Sequence, residues 1–330
     1  MKSILLFLLA LLFSQSVLSA PLKVCVYDPS GANGDIFTMM KEYAVSATEW
    51  GAEIQLKPYT DEKIAAEDFK AKQCAGVLMT GTRGRTLNLF SATLEAMGAL
   101  PNYDLLKSTF SLLLSEKGAN ILNPAGSTEV AGLFPGGSIF LLVRDKNLNT
   151  VEALAGKRIA TLDYDQASKF MVKYVKASMT AADISTFAGM FNNGSVDAAY
   201  APASAYQALE LYKGVGKNGG VIRYPLAQMT LQMFIHTDLF PAGFGQKSRT
   251  FALSQFEKGL AIAKKSEKDI KSWIDIPQAD QARYDQMFLD VRVSLRDQEK
   301  VYDAKALKLL AKLRCKADPS KAECAQKKEE

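Results

Sequence analysis

The chain of 330 residues is poor in several features that would define a chemistry outright. It has one histidine, His236, and four cysteines, none of them in a Cys-x-x-Cys pair. The usual zinc spacings cannot be assembled from that set, and neither a metal nor a cofactor is expected. There is no Gly-x-Ser-x-Gly nucleophile elbow and no Walker loop. Gly214-x-Gly216-x-x-Gly219 has the spacing of a dinucleotide fingerprint, but it follows a helical stretch and precedes a strand, the wrong order for phosphate binding. His236 ends an apolar run and reads as structural. Beyond residue 20 no apolar run is long enough to cross a bilayer. Charge of one sign is scarce as well. Without Lys2 the chain holds 39 basic and 35 acidic residues, a dispersed balance of +4 that excludes a nucleic-acid footprint. What remains is 48% hydrophobic and 23% charged, enough to bury one large or two ordinary cores.

The first twenty residues stand apart. Lys2, the apolar run Ile4 to Phe13 and the small or polar residues Ser14 to Ala20 have the three parts of a secretory signal peptide, with cleavage expected near Ser19 or Ala20. Export to an oxidising compartment follows, and an even cysteine count there favours disulfides. Cys315 and Cys324 flank a short polar segment that is easily closed. Cys25 and Cys74 each open a strand-like run; if those strands are neighbours they form a second bridge, and otherwise they are buried thiols.

From Lys23 onward, strand-like and helix-like segments alternate. Strands are expected at Lys23–Tyr27, Glu53–Lys57 and Cys74–Thr80, separated by helices from Asp35 to about Trp50 and from Asp61 to Lys72. This order predicts a parallel sheet with helices on its faces, and Gly81–Arg85 is expected as a loop at the end of the third strand. Residues 87–138 are helical or mixed, with Pro124-Ala-Gly126 and Pro135-Gly-Gly137 as punctuation. A second series begins at Ser138: strands Ile139–Arg144, Lys157–Leu162, Val196–Tyr200, Val221–Tyr224 and Leu231–His236. Between them lie a short helix at Thr150–Ala155, a helix from the Asp163–Ser168 segment to about Ser178, a helix closed by Asn192-Asn-Gly194, and a helix at Ala203–Tyr212. Helical spacing then runs through Arg249–Lys264, Glu267–Ile274, Asp280–Val293 and Asp303–Arg314, before a polar tail expected to fray.

Two passages carry a resemblance. Asn149-Thr-Val-Glu-Ala-Leu-Ala-Gly-Lys-Arg-Ile-Ala160 resembles the entry into the second lobe of periplasmic solute-binding proteins. Phe187-Ala-Gly-Met-Phe-Asn-Asn-Gly-Ser-Val-Asp-Ala-Ala-Tyr-Ala-Pro-Ala-Ser204 resembles the helix, Asn-Gly, Val-Asp-Ala and strand of the same lobe. In element order the chain is most similar to the substrate-binding subunits of tripartite ATP-independent (TRAP) transporters, and among those to the AdeT-like group. The resemblance implies a two-lobed α/β fold of the type II-like periplasmic-binding-protein class with C-terminal helices. Lobe I would comprise residues 21–138 and 232–330, and lobe II residues 139–231. It also implies a non-enzymatic receptor that closes on a small polar solute and hands it to membrane transporter subunits. A carboxylate-binding Arg of that family falls at Ala160 here, with Arg158 two positions earlier.

A cleft at the strand ends would draw on Tyr27, Asp28, Asn33, Arg83 and Arg85 from the first lobe. The second would offer Asp163, Tyr164, Asp165, Gln166, Ser168, Tyr200 and Ser204. Arg83 suits a carboxylate through its fork of donors, whereas Asp28, Asp163 and Asp165 suit an amine, and both together suit a zwitterion. The same residues have plainer readings. The arginines serve equally as solvated surface partners, the aspartates as helix caps and the tyrosines as core aromatics. Two other functions are weighed against the receptor. An accessory component of an envelope efflux system is opposed by the lack of coiled-coil heptads and membrane anchor. An exported hydrolase is opposed by the single histidine and missing elbow.

Overall fold

The computed structural model describes residues 20–124 and 126–329, so the apolar leader lies outside the described residues up to Ser19. Ten strands form a single mixed sheet: β1 (Leu22–Tyr27), β2 (Ile54–Tyr59), β3 (Gly76–Thr80), β4 (Thr128–Val143), β5 (Arg158–Leu162), β6 (Ser178–Ala182), β7 (Ala198–Pro202), β8 (Gly220–Ile222), β9 (Ala227–His236) and β10 (Trp273–Ile274). Along the main path the order is β2-β1-β3-β9-β4-β7-β5-β6, with β8 on β4 and β10 on β8.

The long antiparallel pair β4–β9 joins two groups of strands. β4 pairs with β9 from Thr128 opposite His236 to Ile139 opposite Ala227, and its last residues, Ile139 to Val143, pair with β7. One side holds the parallel trio β2, β1 and β3; the other holds the parallel set β7, β5 and β6. This is the two-lobed α/β arrangement expected. Helices cover the faces because their apolar residues recur every three or four positions: Phe37, Met40, Tyr43 and Ala47 of helix Asp35–Glu49 all point into the core. Cys25 lies on β1 and Cys74 just before β3, and the two are bridged with their Cα atoms 5.9 Å apart; Cys315 and Cys324 form the second bridge.

Several elements depart from the sequence reading. Pro135-Gly-Gly137 does not end a segment but lies inside the sixteen-residue β4, where register shifts between Val130 and Gly132 and between Pro135 and Gly137 absorb it as bulges. Gly81–Gly84 is a helical turn rather than a loop. Helix Gln166–Tyr174 stops four residues short of Ser178, Lys176 takes a positive φ, and Ser178–Ala182 becomes edge strand β6. The helix expected at Arg249–Lys264 is divided at Gln255 into Phe244–Ser254 and Phe256–Asp269. Trp273–Ile274, expected as helix, is strand β10 in parallel register with Val221 and Ile222. The tail is not frayed: helix Ala322–Gln326 is held by the second disulfide and by Glu323 and Glu329, which receive the guanidinium groups of Arg292 and Arg314.

Candidate functional site

β1, β3, β5 and β7 all end at one seam, so their last residues, Tyr27, Thr80, Leu162 and Tyr200 to Pro202, meet around a cavity of about 370 Å³. That is the size of a small-molecule site. Its walls are largely apolar, with Ile36, Ile139, Leu162, Phe187, Met229 and Leu231 among them. The polar groups in it are few and specifically held.

Glu95 is the most firmly placed. Its carboxylate accepts from the backbone N–H of Gly81 (2.9 Å), Thr82 (2.7 Å) and Thr230 (2.8 Å), and from the hydroxyls of Thr82 (2.5 Å) and Thr230 (2.8 Å). Gly81 is required at this junction, since a Cβ there would stand 2.5 Å from Gln232 Nε2 and 2.9 Å from Glu95 Oε1. Glu62, 1% exposed, accepts from Thr80 N–H at 2.6 Å through Oε1. Its other oxygen has only long contacts, to Tyr164 Oη at 3.4 Å and Arg83 Nε at 3.6 Å. Burial pushes both carboxyls above the usual glutamate range, and their hydrogen bonds only partly offset it.

Tyr164 comes from the far side of the seam, in the segment after β5. Its ring carries the Arg83 guanidinium stacked 3.4 Å from the centroid. Arg83 Nε is buried without a hydrogen-bond partner. Asp165 caps helix Gln166–Tyr174, accepting from Ser168 N–H at 3.1 Å and from the Ser168 hydroxyl. Tyr200 Oη accepts from Leu162 N–H at 3.1 Å and donates to Asp165 at 3.3 Å. Burial raises the Tyr27, Tyr164 and Tyr200 phenols far above neutrality, so all three stay protonated.

Of the residues singled out from sequence, Tyr27, Tyr164, Asp165, Tyr200 and Ser204 line the cavity. Arg83 stands behind Glu62 and Tyr164. Ser168 stands behind Asp165. Asp28 is buried beside the entry to helix Asp35–Glu49, accepting from Ser30 and Phe37 N–H groups, with Gly34 packed against it. Asn33 and Asp163 are exposed outside the lining, and Gln166 opens onto a separate groove with Lys169 and Lys173. Arg85 turns away to the Val301 carbonyl and the Tyr302 ring. His236 is remote from the seam, stacked on Phe69. Arg158 is half-exposed and forms a two-pronged pair with Asp197, at 2.7 and 3.1 Å.

Sequence reasoning missed Glu62, Glu95, Thr82, Thr230 and Met229. One signal was present: Gln228, Thr230 and Gln232 alternate along β9 and are all buried, a polar stripe on one face of an apolar strand. Cys25, Asp68 and Cys74 cluster within 4.8 Å, but the disulfide consumes both thiols, so they offer no thiolate to a metal.

Comparison with known proteins agrees with this geometry. The family described as solute-binding protein AdeT 1/2 matches residues 44–329. The probable solute-binding protein AdeT1 of Acinetobacter baumannii is 40% identical over 302 residues, 91% of this chain and 99% of the relative. Among solved structures, the periplasmic ectoine-binding protein of the TeaABC TRAP transporter of Halomonas elongata superposes with a TM-score of 0.72 at 13% identity, covering 90% of this chain and all (100%) of that one. A TRAP periplasmic solute-binding protein from Desulfovibrio salexigens with bound orotic acid gives 0.71 at 13% identity, over 90% and 99%. One from Shewanella oneidensis with bound succinate gives 0.70 at 12%, over 89% and 99%. The fold is that of the TRAP solute-binding proteins, and the chain belongs to the AdeT solute-binding family.

Proposed function

We propose that this protein is a periplasmic receptor. It captures a small solute between two lobes, residues 21–138 with 232–330 and residues 139–231, and delivers it to a membrane transporter without chemical change. The observation that carries the reading is the cavity at the seam, walled by strand ends from both sides of β4 and β9. A solute touching both walls stabilises only the arrangement in which they are close, and the shift toward closure equals its differential affinity for the two states. Tyr164 is suited to report closure, because it reaches across to Glu62 and Arg83. The protonated tyrosines give hydrogen bonds to a desolvated guest, so the guest's polar groups are not left unpaired. Among proteins of like fold, one holds orotic acid, one holds succinate and one is an ectoine-binding protein, so the fold accommodates more than one kind of small solute.

The test is a thermal-shift screen of residues 21–330 against carboxylates, zwitterions and amines. A true ligand at a hundredfold excess over its Kd adds about 2.7 kcal/mol to native stability, a rise of about 5 °C. No rise with any solute class overturns the receptor reading. Delivery is tested by crosslinking in intact cells, where a membrane-permease adduct should depend on the solute.

A further inference from the structure

Four carboxyl side chains line the seam cavity, Asp61, Glu62, Glu95 and Asp165, and among the described residues no lysine, arginine or histidine does. The Arg83 guanidinium stands outside the lining, stacked on the Tyr164 ring and 3.6 Å from Glu62, with its Nε unpartnered among the described residues. Arg158, the one candidate for a transplanted carboxylate anchor, is held at the surface by Asp197. The four acids are not equivalent. Glu95 is saturated by five donors and fixes negative charge in the wall without offering an open lone pair. Asp165 is largely satisfied by Ser168 and Tyr200. Glu62 is different: among the described residues the polar contacts of Oε2 are long, Tyr164 Oη at 3.4 Å and Arg83 Nε at 3.6 Å. Asp61 spends Oδ1 on Lys63 N–H, and its Oδ2 has no hydrogen bond among the described residues. Close by, the Tyr27 hydroxyl belongs to a side chain only 7% exposed, lines the same cavity and has no hydrogen-bond partner among the described residues. Opposite these groups the wall is apolar, with Ile139, Leu162, Phe187 and Met229.

From this arrangement we infer that the guest is a cation, an amine or ammonium carried on an apolar body. Its nitrogen sits at the Glu62 and Asp61 oxygens, and its body lies against the aliphatic and phenyl wall. The inference rests on the receptor reading above and narrows it. A carboxylate guest would enter a low-dielectric space against charge of its own sign with no cation in the lining to meet it, whereas an ammonium gives Glu62 Oε2 a closer, charged donor than the Tyr164 hydroxyl at 3.4 Å. The Tyr27 hydroxyl oxygen, without a partner among the described residues, then accepts from the positive end. Discrimination comes from repulsion as much as from attraction.

The experiment is titration calorimetry of residues 21–330 at pH 7 with three probes of one shape, cyclohexylmethylamine, cyclohexylmethanol and cyclohexanecarboxylate, and with succinate as a linear dicarboxylate. The amine is expected to bind about tenfold or more tighter than the alcohol, with neither carboxylate detectable. Glu62→Gln should weaken the amine about tenfold or more, and Asp61→Asn about threefold. Asp61→Asn guards against a folding artefact, since asparagine caps helix Glu62–Lys70 as well as aspartate does. A carboxylate that binds as tightly as the amine overturns the charge assignment and leaves the receptor reading standing. Amine binding unchanged in both variants overturns it too, because the amine is then held elsewhere. If all four probes fail, the wider screen decides. An amine hit weakened by Glu62→Gln supports the inference, a carboxylate hit overturns it alone, and no hit overturns the receptor reading with it.

Discussion

Two regions of this molecule bury charge, and they do it in opposite ways. Beneath the C-terminal helices, Arg292 donates to Glu329 (2.7 Å), Glu323 (2.7 Å) and the Met97 carbonyl (3.0 Å). Arg314 donates to Glu323 (2.8 and 3.0 Å), to Glu329 and to the Ala99 carbonyl (2.9 Å). Two guanidinium groups meet two carboxylates with short contacts, and each carboxylate receives both guanidinium groups. At the seam, Arg83 stands 3.6 Å from Glu62 with its Nε unpartnered, Glu62 keeps an open oxygen, and a cavity lies alongside. The closed set fixes the tail to the body. The open set retains bonding capacity that a guest can use, which is what distinguishes a structural cluster from a binding one.

The largest effect should fall on the closed side. Arg314→Ala strips Glu323 and Glu329 of one of their two shared partners and should destabilise the fold by about 3–5 kcal/mol in urea unfolding. A loss below about 1 kcal/mol would mean that the cluster is hydrated and not a true clasp.

Acidification should separate the two regions by sign. Glu62 and Glu95 are raised by burial, so the folded state holds their protons more tightly than the unfolded chain does. Their contribution to stability therefore grows as pH falls toward 4.5 and is lost as pH rises through their raised values. Burial pushes Glu323 up, but its hydrogen bond with Arg314 and the Arg314 and Arg292 charges outweigh that and hold it below 4.5. Its contribution is full above that pH and lost below it. Hydrogen exchange should show the amides of Gly81, Thr82 and Thr230 gaining protection on descent from pH 7 toward 4.5, while helix Ala304–Ala317 loses protection further down. Loss at both sites over the same range would erase the distinction.

The smallest effect should come from Arg158→Ala. Its pair with Asp197 is half-exposed and far from the cavity lining, so melting temperature and solute affinity should both stay within experimental error. A fall in affinity alone would make Arg158 part of the site after all.

Much of the fold could be read from the sequence, because strand and helix periods are local. The alternation of Lys23–Thr80 and the Asn192-Asn-Gly194 stop, where Gly194 takes φ +85°, are local signals and appear in the structure. The misreadings are non-local. Pro135 and Gly137 sit in a strand because β9 pairs around them as bulges, and β10 exists only because β8 is there to receive it. The site divides in the same way. Tyr27, Tyr164 and Tyr200 lie at strand ends that the alternation locates, so position alone suggested them. Glu62 and Glu95 were hidden inside helical segments, and only the meeting of β3 with β9 brings Gly81, Thr82 and Thr230 onto Glu95.

Closure of the two halves around a guest can be measured directly. All four native cysteines are in disulfides, so exposed Val45, on helix Asp35–Glu49 against β1 and β2, and exposed Met179, on β6 in the other group of strands, can be replaced by Val45→Cys and Met179→Cys and spin-labelled. The inter-label distance distribution, measured with and without a saturating solute, should shift and narrow on binding. A solute that binds with measurable heat while that distribution stays unchanged would contradict capture between two moving halves.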